Sequence, residues 1–191
     1  MVCRYERIGQ KPDLCGCACI EMILRRRNIN DYNQEQIAIE TGTLVLEKNI
    51  HEYGLQLPTT KDVREAGLLD MEKLNSFLKR HELQAEYIPI KNNLGNILDE
   101  FKKDENLRDD TDVIANYWRR KQKRGHYVLL EHPLSRTSIV CDPASKTDIM
   151  HAIDYDVFEM FMDQTQSDGK QRGIIVVKSL NPFSHKVNFS F

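Results

Sequence analysis

Apolar residues recur at helical spacing through the first half of the chain. The spacing predicts helices from Cys15 to about Asn28, from Gln34 to Thr41, from Asp70 through Leu78, and from Leu94 through Phe101. We expect Asp31 or Asn33 to cap the second helix and Gly42 to end it. Residues Thr43 to Thr60 have no regular pattern. A loop of this length is often a functional lid.

Strand-like runs are concentrated in the second half. They lie at Gln84 to Ile90, Asp112 to Trp118, His126 to Glu131, Thr137 to Cys141 and Gly173 to Lys178. Helical spacing returns around Ile153, Val157 and Met160, and Asn181 to Phe191 has the pattern of a tail. This order predicts an α+β fold with an N-terminal helical part packed on an antiparallel sheet. We expect a single domain over residues 1–191, with the helical part at about 10–105 and the sheet part at about 110–180.

The composition is typical of a soluble globular protein. A formal net charge of -2 gives no broad positive field, so no nucleic-acid partner is expected. No apolar run approaches the ~18 residues of a membrane span, and MVCRYERIGQKPD lacks the pattern of a secretory signal. The number of cysteines is odd, which disfavours a disulfide framework and favours a cytoplasmic location. The basic run from Arg119 to Arg124 is interpreted as a solvated loop between strands.

Three cysteines alternate with other residues at the start of the first predicted helix, in CGCAC from Cys15. Structural zinc sites usually take ligand pairs separated by two to four residues, which this spacing does not offer. We interpret Cys17 and Cys19 as small buried residues, as free cysteines usually are. Cys15 stands where the helix begins, and the positive end of a helix favours a thiolate. Cys15 is therefore the candidate nucleophile.

A thiolate nucleophile needs a base, and His126 is the main candidate. It lies in RGHYVLLEHPLSRTSIVCDPAS, which we interpret as a hairpin with its tip at Leu134. This tip predicts that His126 lies directly opposite Asp142, within hydrogen-bonding reach, provided that the register is correct. Gly125 would let substrate or backbone approach closely. His51, in the long loop, is the rival base.

The ordered set of motifs resembles the papain-like cysteine peptidases that remove double-glycine leaders from bacteriocins, together with their stand-alone relatives. The elements that carry the resemblance are Gln10, CGCACIEMIL from Cys15, GHYVLL after Arg124 and VCDP after Ile139, which together span about half of the chain. The Gln10 to Cys15 gap looks one residue shorter than in that family. The segment from Cys15 to the histidine looks longer, which implies an insertion that reshapes the substrate groove.

The resemblance implies a papain-like fold and a role for each matched residue. Cys15 would be the nucleophile, His126 the general base and then the general acid, and Asp142 the group that orients the histidine. Gln10 would supply an oxyanion-hole donor, a contribution typically worth ~10²–10³ in rate.

We therefore expect a cysteine peptidase that acts on a peptide or protein substrate through a thioester acyl-enzyme, with no cofactor and no metal. The same residues would serve a deamidase of glutamine side chains, or an acyl transferase in which an amine replaces water. A non-catalytic peptide-binding module on the same fold would not require all of Cys15, His126 and Asp142. The remaining alternative is a metal- or redox-sensing protein that uses Cys3, Cys15, Cys17 and Cys19.

Overall fold

The computed structural model describes residues 4–11, 14–43, 70–91, 94–103, 111–119, 124–131, 137–144, 150–154, 158, 162 and 172–180. Its helices are α1 (Cys15–Arg26), α2 (Gln34–Glu40), α3 (Met71–Lys79) and α4 (Leu94–Lys103). Its strands are β1 (Leu83–Pro89), β2 (Thr111–Arg119), β3 (Arg124–Leu130), β4 (Thr137–Cys141), β5 (Met150–Asp154) and β6 (Gly173–Ser179).

The six described strands form one antiparallel sheet in the order β1, β6, β2, β3, β4, β5. Strands β2 and β3 lie at its centre, and β6, the last in sequence, inserts between β1 and β2. This combination of helices with an antiparallel sheet confirms the coarse part of the fold prediction.

Both faces of the sheet are covered, which explains why β2 shows little polar alternation. Ile114 packs into a first core with α1 and α3. Its neighbours Val113 and Ala115 pack into a second core that contains Phe158. A strand that is buried on both faces is apolar at consecutive positions rather than at alternate ones.

Helix α1 is the central element of the first core. Every residue from Cys15 to Leu24 is buried, and the helix contacts α2 and β3. Cys17 and Cys19 are fully buried, which confirms their interpretation as small core residues. A helix that is buried all round is fixed by its packing, and this packing also fixes Cys15.

The predicted caps of α2 and α3 are confirmed, with Asn33 rather than Asp31 at the start of α2. Asn33 accepts a hydrogen bond from the backbone N–H of Gln36, whose side chain accepts one in return from the Asn33 N–H, both at 3.0 Å. Gly42, just beyond α2, has a φ of 66°, a conformation that favours glycine. The side chain of Asp70 caps α3.

A buried ionic cluster ties the end of α1 to the sheet. Asp112 of β2 is fully buried and accepts hydrogen bonds from Arg26 at 2.9 Å, Arg27 at 2.8 Å and the Tyr5 hydroxyl at 2.8 Å. Burial would raise the pKa of Asp112, but the charges of the surrounding arginines outweigh burial and lower it. Arg26 and Arg27 therefore bind the Asp112 carboxylate, and their positive charges are also favourable at the C-terminal end of α1.

One of the predicted helical positions is wrong. Ile153 lies in β5, which pairs with β4, where the sequence pattern predicts helical spacing. The strand reads MHAID, with a single β-branched residue, so its pairing with β4 determines its structure more than its propensity does. The loop predicted over Arg119 to Arg124 is shorter at both ends, because Arg119 ends β2, Arg124 begins β3 and the two lie opposite each other. Residues 120–123 lie outside the described residues.

Several predictions lie outside the described residues. They concern the loop beyond Thr43 together with His51, the helical positions Val157 and Met160, and the tail from Asn181. Among the described helices, none combines the length and the apolar character needed to cross a bilayer.

Candidate active site

The candidate site lies at one end of the sheet, where β2 ends and β3 begins. Because β2 and β3 are antiparallel, the last residue of β2 lies beside the first residue of β3. Strand β4 ends opposite Leu129, and the chain continues from there toward the start of β3. This end carries Tyr117 and Arg119 from β2, His126 from β3, and Asp142 directly after β4. His126 and Asp142 are only 3% and 4% exposed, so two ionisable groups are buried together.

His126 and Asp142 form a hydrogen-bonded pair. Nε2 of His126 lies 2.7 Å from Oδ1 of Asp142, and the backbone N–H of Ala144 donates to the same oxygen at 2.8 Å. Burial would raise the pKa of Asp142, but His126, the Ala144 N–H and the charge of Arg119 together lower it. Asp142 is thereby held as a carboxylate, and Nε2 is the nitrogen that donates the hydrogen.

The pair forms although the hairpin register differs from the prediction. The predicted tip would place Tyr127 opposite Cys141, whereas Leu129 occupies that position, a displacement of two residues. Side chains alternate between faces with a period of two, so this displacement keeps His126 and Asp142 on one face as diagonal neighbours. A displacement of one residue would have placed the two side chains on opposite faces of the sheet.

Cys15 is the first residue of α1, as predicted, and is 7% exposed. The N-cap residue is the apolar Leu14, and the first turn contains no acidic residue that would offset the positive helix end. Burial is the main cause of a raised pKa at Tyr117, and the charge of Cys15 contributes to it. Cys15 therefore belongs to the electrostatic surroundings of Tyr117, which lies directly opposite His126.

Cys17 and Cys19 differ from Cys15 because both are fully buried. Burial raises the pKa of Cys17 to about 12 and raises the pKa of Cys19 well above its usual value. Both thiols stay protonated near neutral pH, and a thiol is far less nucleophilic than a thiolate. The described cysteines are all free thiols. The described part of the chain holds no group of three or more His, Cys, Asp or Glu residues that could bind a metal ion.

Gln10 is tied to the same end of the sheet through its backbone. Its N–H donates to the carbonyl of Pro143 at 2.8 Å. Gln34 holds the backbone on both sides of it, because Nε2 of Gln34 donates to the Gly9 carbonyl at 3.0 Å and Oε1 accepts from the Lys11 N–H at 2.9 Å. Oε1 of Gln10 is buried and has no hydrogen-bond partner among the residues that the structure describes. No sequence motif marks Gln34, yet it fixes the segment that carries Gln10.

Two further residues that were not predicted for the site complete a closed ring with His126 and Asp142. Nη2 of Arg119 pairs with Oδ2 of Asp142, and Nε of Arg119 donates to the Tyr117 hydroxyl at 3.2 Å. The rings of Tyr117 and His126 meet edge to face, with centroids 5.7 Å apart. Alternation along β2 places Tyr117 and Arg119 on one face, but only the β2–β3 register puts them beside His126.

The group that approaches Gly125 is the side chain of Arg172, which the sequence did not predict. A Cβ atom at Gly125 would lie 2.5 Å from Nη1 of Arg172. The same nitrogen donates to Oδ1 of Asn116 at 2.8 Å, and the guanidinium lies 5.0 Å from the centroid of the Trp118 ring. Gly125 therefore makes room for a buried arginine immediately before His126.

Of the other histidines, His81 and His151 lie within the described residues. His81 packs edge-on against Tyr32 and Phe77, with centroids 5.1 Å and 5.6 Å away, so it belongs to an aromatic cluster. His151 lies in β5.

Comparison with solved structures finds a likeness to the peptidase domain of Streptococcus ComA, a bi-functional ABC transporter involved in a quorum sensing pathway. The likeness covers 92% of this chain and 98% of that one, with a TM-score of 0.54 and 12% sequence identity. Neither a protein-family model nor a curated protein matches the sequence. At this identity the likeness concerns the fold alone, and it relates the helix-and-sheet architecture distantly to that of a peptidase domain.

Proposed function

We propose that the chain is a cysteine peptidase with a papain-like fold, in which Cys15, His126 and Asp142 cleave a peptide bond. The observation that carries the proposal is the buried hydrogen bond of 2.7 Å between His126 Nε2 and Asp142 Oδ1. A thiol hydrolase needs such an oriented histidine together with a cysteine in an electropositive position, and Cys15 at the start of α1 meets the second need. The distant fold likeness to a peptidase domain supports the same function.

The first step of the proposed mechanism is the transfer of a proton from Cys15 to His126. Its Nε2 is engaged with Asp142, so Nδ1 is the atom that would take the proton from the Cys15 thiol. The thiolate then attacks the carbonyl carbon of the scissile bond. The ionised Asp142 stabilises the imidazolium that forms and keeps its ring in one orientation.

The second step is the breakdown of the tetrahedral intermediate. Its oxyanion would accept hydrogen bonds from the Cys15 backbone N–H and the side-chain amide of Gln10, and each donor of this kind is worth ~10²–10³ in rate. The C–N bond breaks, His126 returns its proton to the leaving amine, and a thioester remains on Cys15. Water, deprotonated by His126, then hydrolyses the thioester to a carboxylic acid and restores the thiol.

The free thiols of the described cysteines suit a reducing compartment, and we propose a cytoplasmic location. A peptide or protein is the proposed substrate. A deamidase or an acyl transferase would use the same three residues, and the product distinguishes these reactions from hydrolysis of a peptide bond.

The test is incubation of the protein with a peptide library, with the products identified by mass spectrometry. A peptidase produces new termini, a deamidase changes a side chain at constant peptide length, and an acyl transferase joins the acyl group to an amine. Cys15→Ala should abolish the reaction, whereas Cys17→Ala, a matched change in the same buried helix, should retain it. Undiminished cleavage by the Cys15→Ala protein would refute the proposal.

A further inference from the structure

We infer that Arg119 is a positioning residue of this site, which holds the Asp142 carboxylate in the orientation that presents its other oxygen to His126. The inference rests on the proposed function, because it assigns a role within the same site. Arg119 ends β2, and its Nη2 pairs with Oδ2 of Asp142, while Oδ1 lies 2.7 Å from His126 Nε2. One carboxylate therefore bridges a guanidinium and an imidazole.

The guanidinium is itself held in place by Tyr117. Nε of Arg119 donates to the Tyr117 hydroxyl at 3.2 Å, and the same phenol ring packs edge-on against His126. Tyr117 and His126 lie directly opposite each other in the β2–β3 pairing. Because all four side chains are connected in a ring, the carboxylate cannot rotate away from His126 without breaking its contact with Arg119.

The ion pair between Arg119 and Asp142 is largely buried, so solvent screens it less than it screens an exposed pair. The side chains of Arg119 and Asp142 are 17% and 5% exposed. Ion pairs that lie fully on the surface, in contrast, contribute little to stability. A cation that stabilises the carboxylate also disfavours a second positive charge on the imidazole, so Arg119 affects both partners of the hydrogen bond. Among the described residues, the titratable or charged groups around His126 and Asp142 are Tyr117 and Arg119 from β2, Cys15 and Cys19 from α1, and Arg172 beside Gly125.

The first test is an NMR titration of the Asp142 side-chain carboxyl carbon, in a Cys15→Ala background so that this thiol does not titrate. Removing the cation should raise the pKa of Asp142 by about one pH unit in Arg119→Gln, whereas Arg119→Lys should largely retain the wild-type pKa. Arg119→Met is a second neutral variant in case Arg119→Gln fails to fold. Arg80→Gln is the matched control, because Arg80 pairs with Glu40 on the surface. A change below about 0.2 pH unit in the neutral variants would overturn the inference.

The second test is the rate of Cys15 alkylation by iodoacetamide as a function of pH, in the same Arg119 variants with Cys15 restored. Loss of the cation raises the pKa of every nearby acid, so the profile in Arg119→Gln should move to higher pH. Its maximum rate should fall about 10-fold, because the His126 ring is held less firmly. Lysine should restore the position of the profile.

The two proposals fail in different ways. If Cys15 of the wild-type protein reacts like an ordinary thiol, the proposed function fails, and the NMR titration still decides whether Arg119 holds Asp142. If Cys15 is activated and Arg119→Gln leaves its profile unchanged, the proposed function stands and the inference about Arg119 is overturned.

Discussion

Nε2 of His126 lies 2.7 Å from Oδ1 of Asp142, although the two residues are diagonal rather than direct neighbours across the β3–β4 hairpin. The carboxylate reaches the imidazole because it follows the last residue of β4, where the backbone N–H of Ala144 donates to it at 2.8 Å. With Arg119 on its second oxygen, Asp142 has three fixed partners. Asp142 is therefore a firmly held group that orients the His126 ring, together with the Tyr117 ring packed against it.

Asp142→Asn should reduce turnover strongly while the fold is retained. An amide cannot stabilise an imidazolium by charge, and it no longer forms an ion pair with Arg119, so kcat/KM on a cleaved peptide should fall by roughly 100-fold or more. Glu40→Gln is the matched control, because it removes a carboxylate that pairs with Arg80 on the surface. Full activity of Asp142→Asn would show that this carboxylate does not orient the base.

Gln34→Ala should reduce both stability and turnover. The variant leaves the Gly9 carbonyl and the Lys11 N–H without their side-chain partner, which should lower the free energy of unfolding by about 1–3 kcal/mol. Because the segment that carries Gln10 loosens, kcat should fall more than KM rises.

The control for this change is Gln36→Ala in the same helix. Gln36 is exposed and contributes to the cap of α2, so its loss should cost only about 0.5 kcal/mol and leave kcat unchanged. Urea unfolding and steady-state kinetics measure both variants. Equal effects of the two substitutions would exclude a special role for Gln34.

Gly125→Ala should destabilise the protein because the added Cβ would lie 2.5 Å from Nη1 of Arg172. The guanidinium would have to leave Asn116 and Trp118, and the expected cost is about 1–3 kcal/mol in the free energy of unfolding. Gly95→Ala places a Cβ where no other described side chain or distant backbone atom lies within 4 Å, so thermal unfolding should show no loss of stability. Similar melting temperatures for Gly125→Ala and the wild type would contradict the described packing of Arg172.

The stability of the protein should fall in acid because of Asp112. Its pKa in the folded state is lower than the usual 3.8, so the unfolded state binds more protons as the pH decreases. The stabilisation is fully present above pH of about 4 and is lost as the pH falls through the lower folded-state pKa. Urea unfolding from pH 5 to pH 2 should show this decline, and a free energy of unfolding that stays flat over this range would argue against an ionised, buried Asp112.

The features predicted correctly from the sequence depend on short-range patterns. Helix α1 and its start at Cys15, and the caps at Asn33 and Asp70, follow from helical periodicity and from side-chain hydrogen bonds within one turn. The contact between His126 and Asp142 was predicted from a hairpin whose register is displaced by two residues in the structure. The contact still forms, because a displacement of two residues leaves both side chains on the same face of the sheet.

The features that were missed depend on contacts between distant parts of the chain. Arg119 and Asp142 are 23 residues apart, Gln34 and Gly9 are 25 apart, and Arg26 and Asp112 are 86 apart. No local pattern specifies the register of β2 with β3, or the packing of α2 on the segment that carries Gln10, so the partners of these polar side chains were not predictable.

The proposed pair of Cys15 and His126 is tested most directly by the rate of iodoacetamide labelling at each cysteine as a function of pH, measured by peptide mapping and compared between wild type and His126→Ala. Cys17 and Cys19 are internal controls, since burial raises the pKa of both thiols. We expect Cys15 alone to react rapidly well below the usual thiol pKa of about 8.5, and His126→Ala to abolish this reactivity. Labelling of Cys15 that is no faster than that of an ordinary thiol, or that is unchanged in His126→Ala, would contradict a thiolate–imidazole pair.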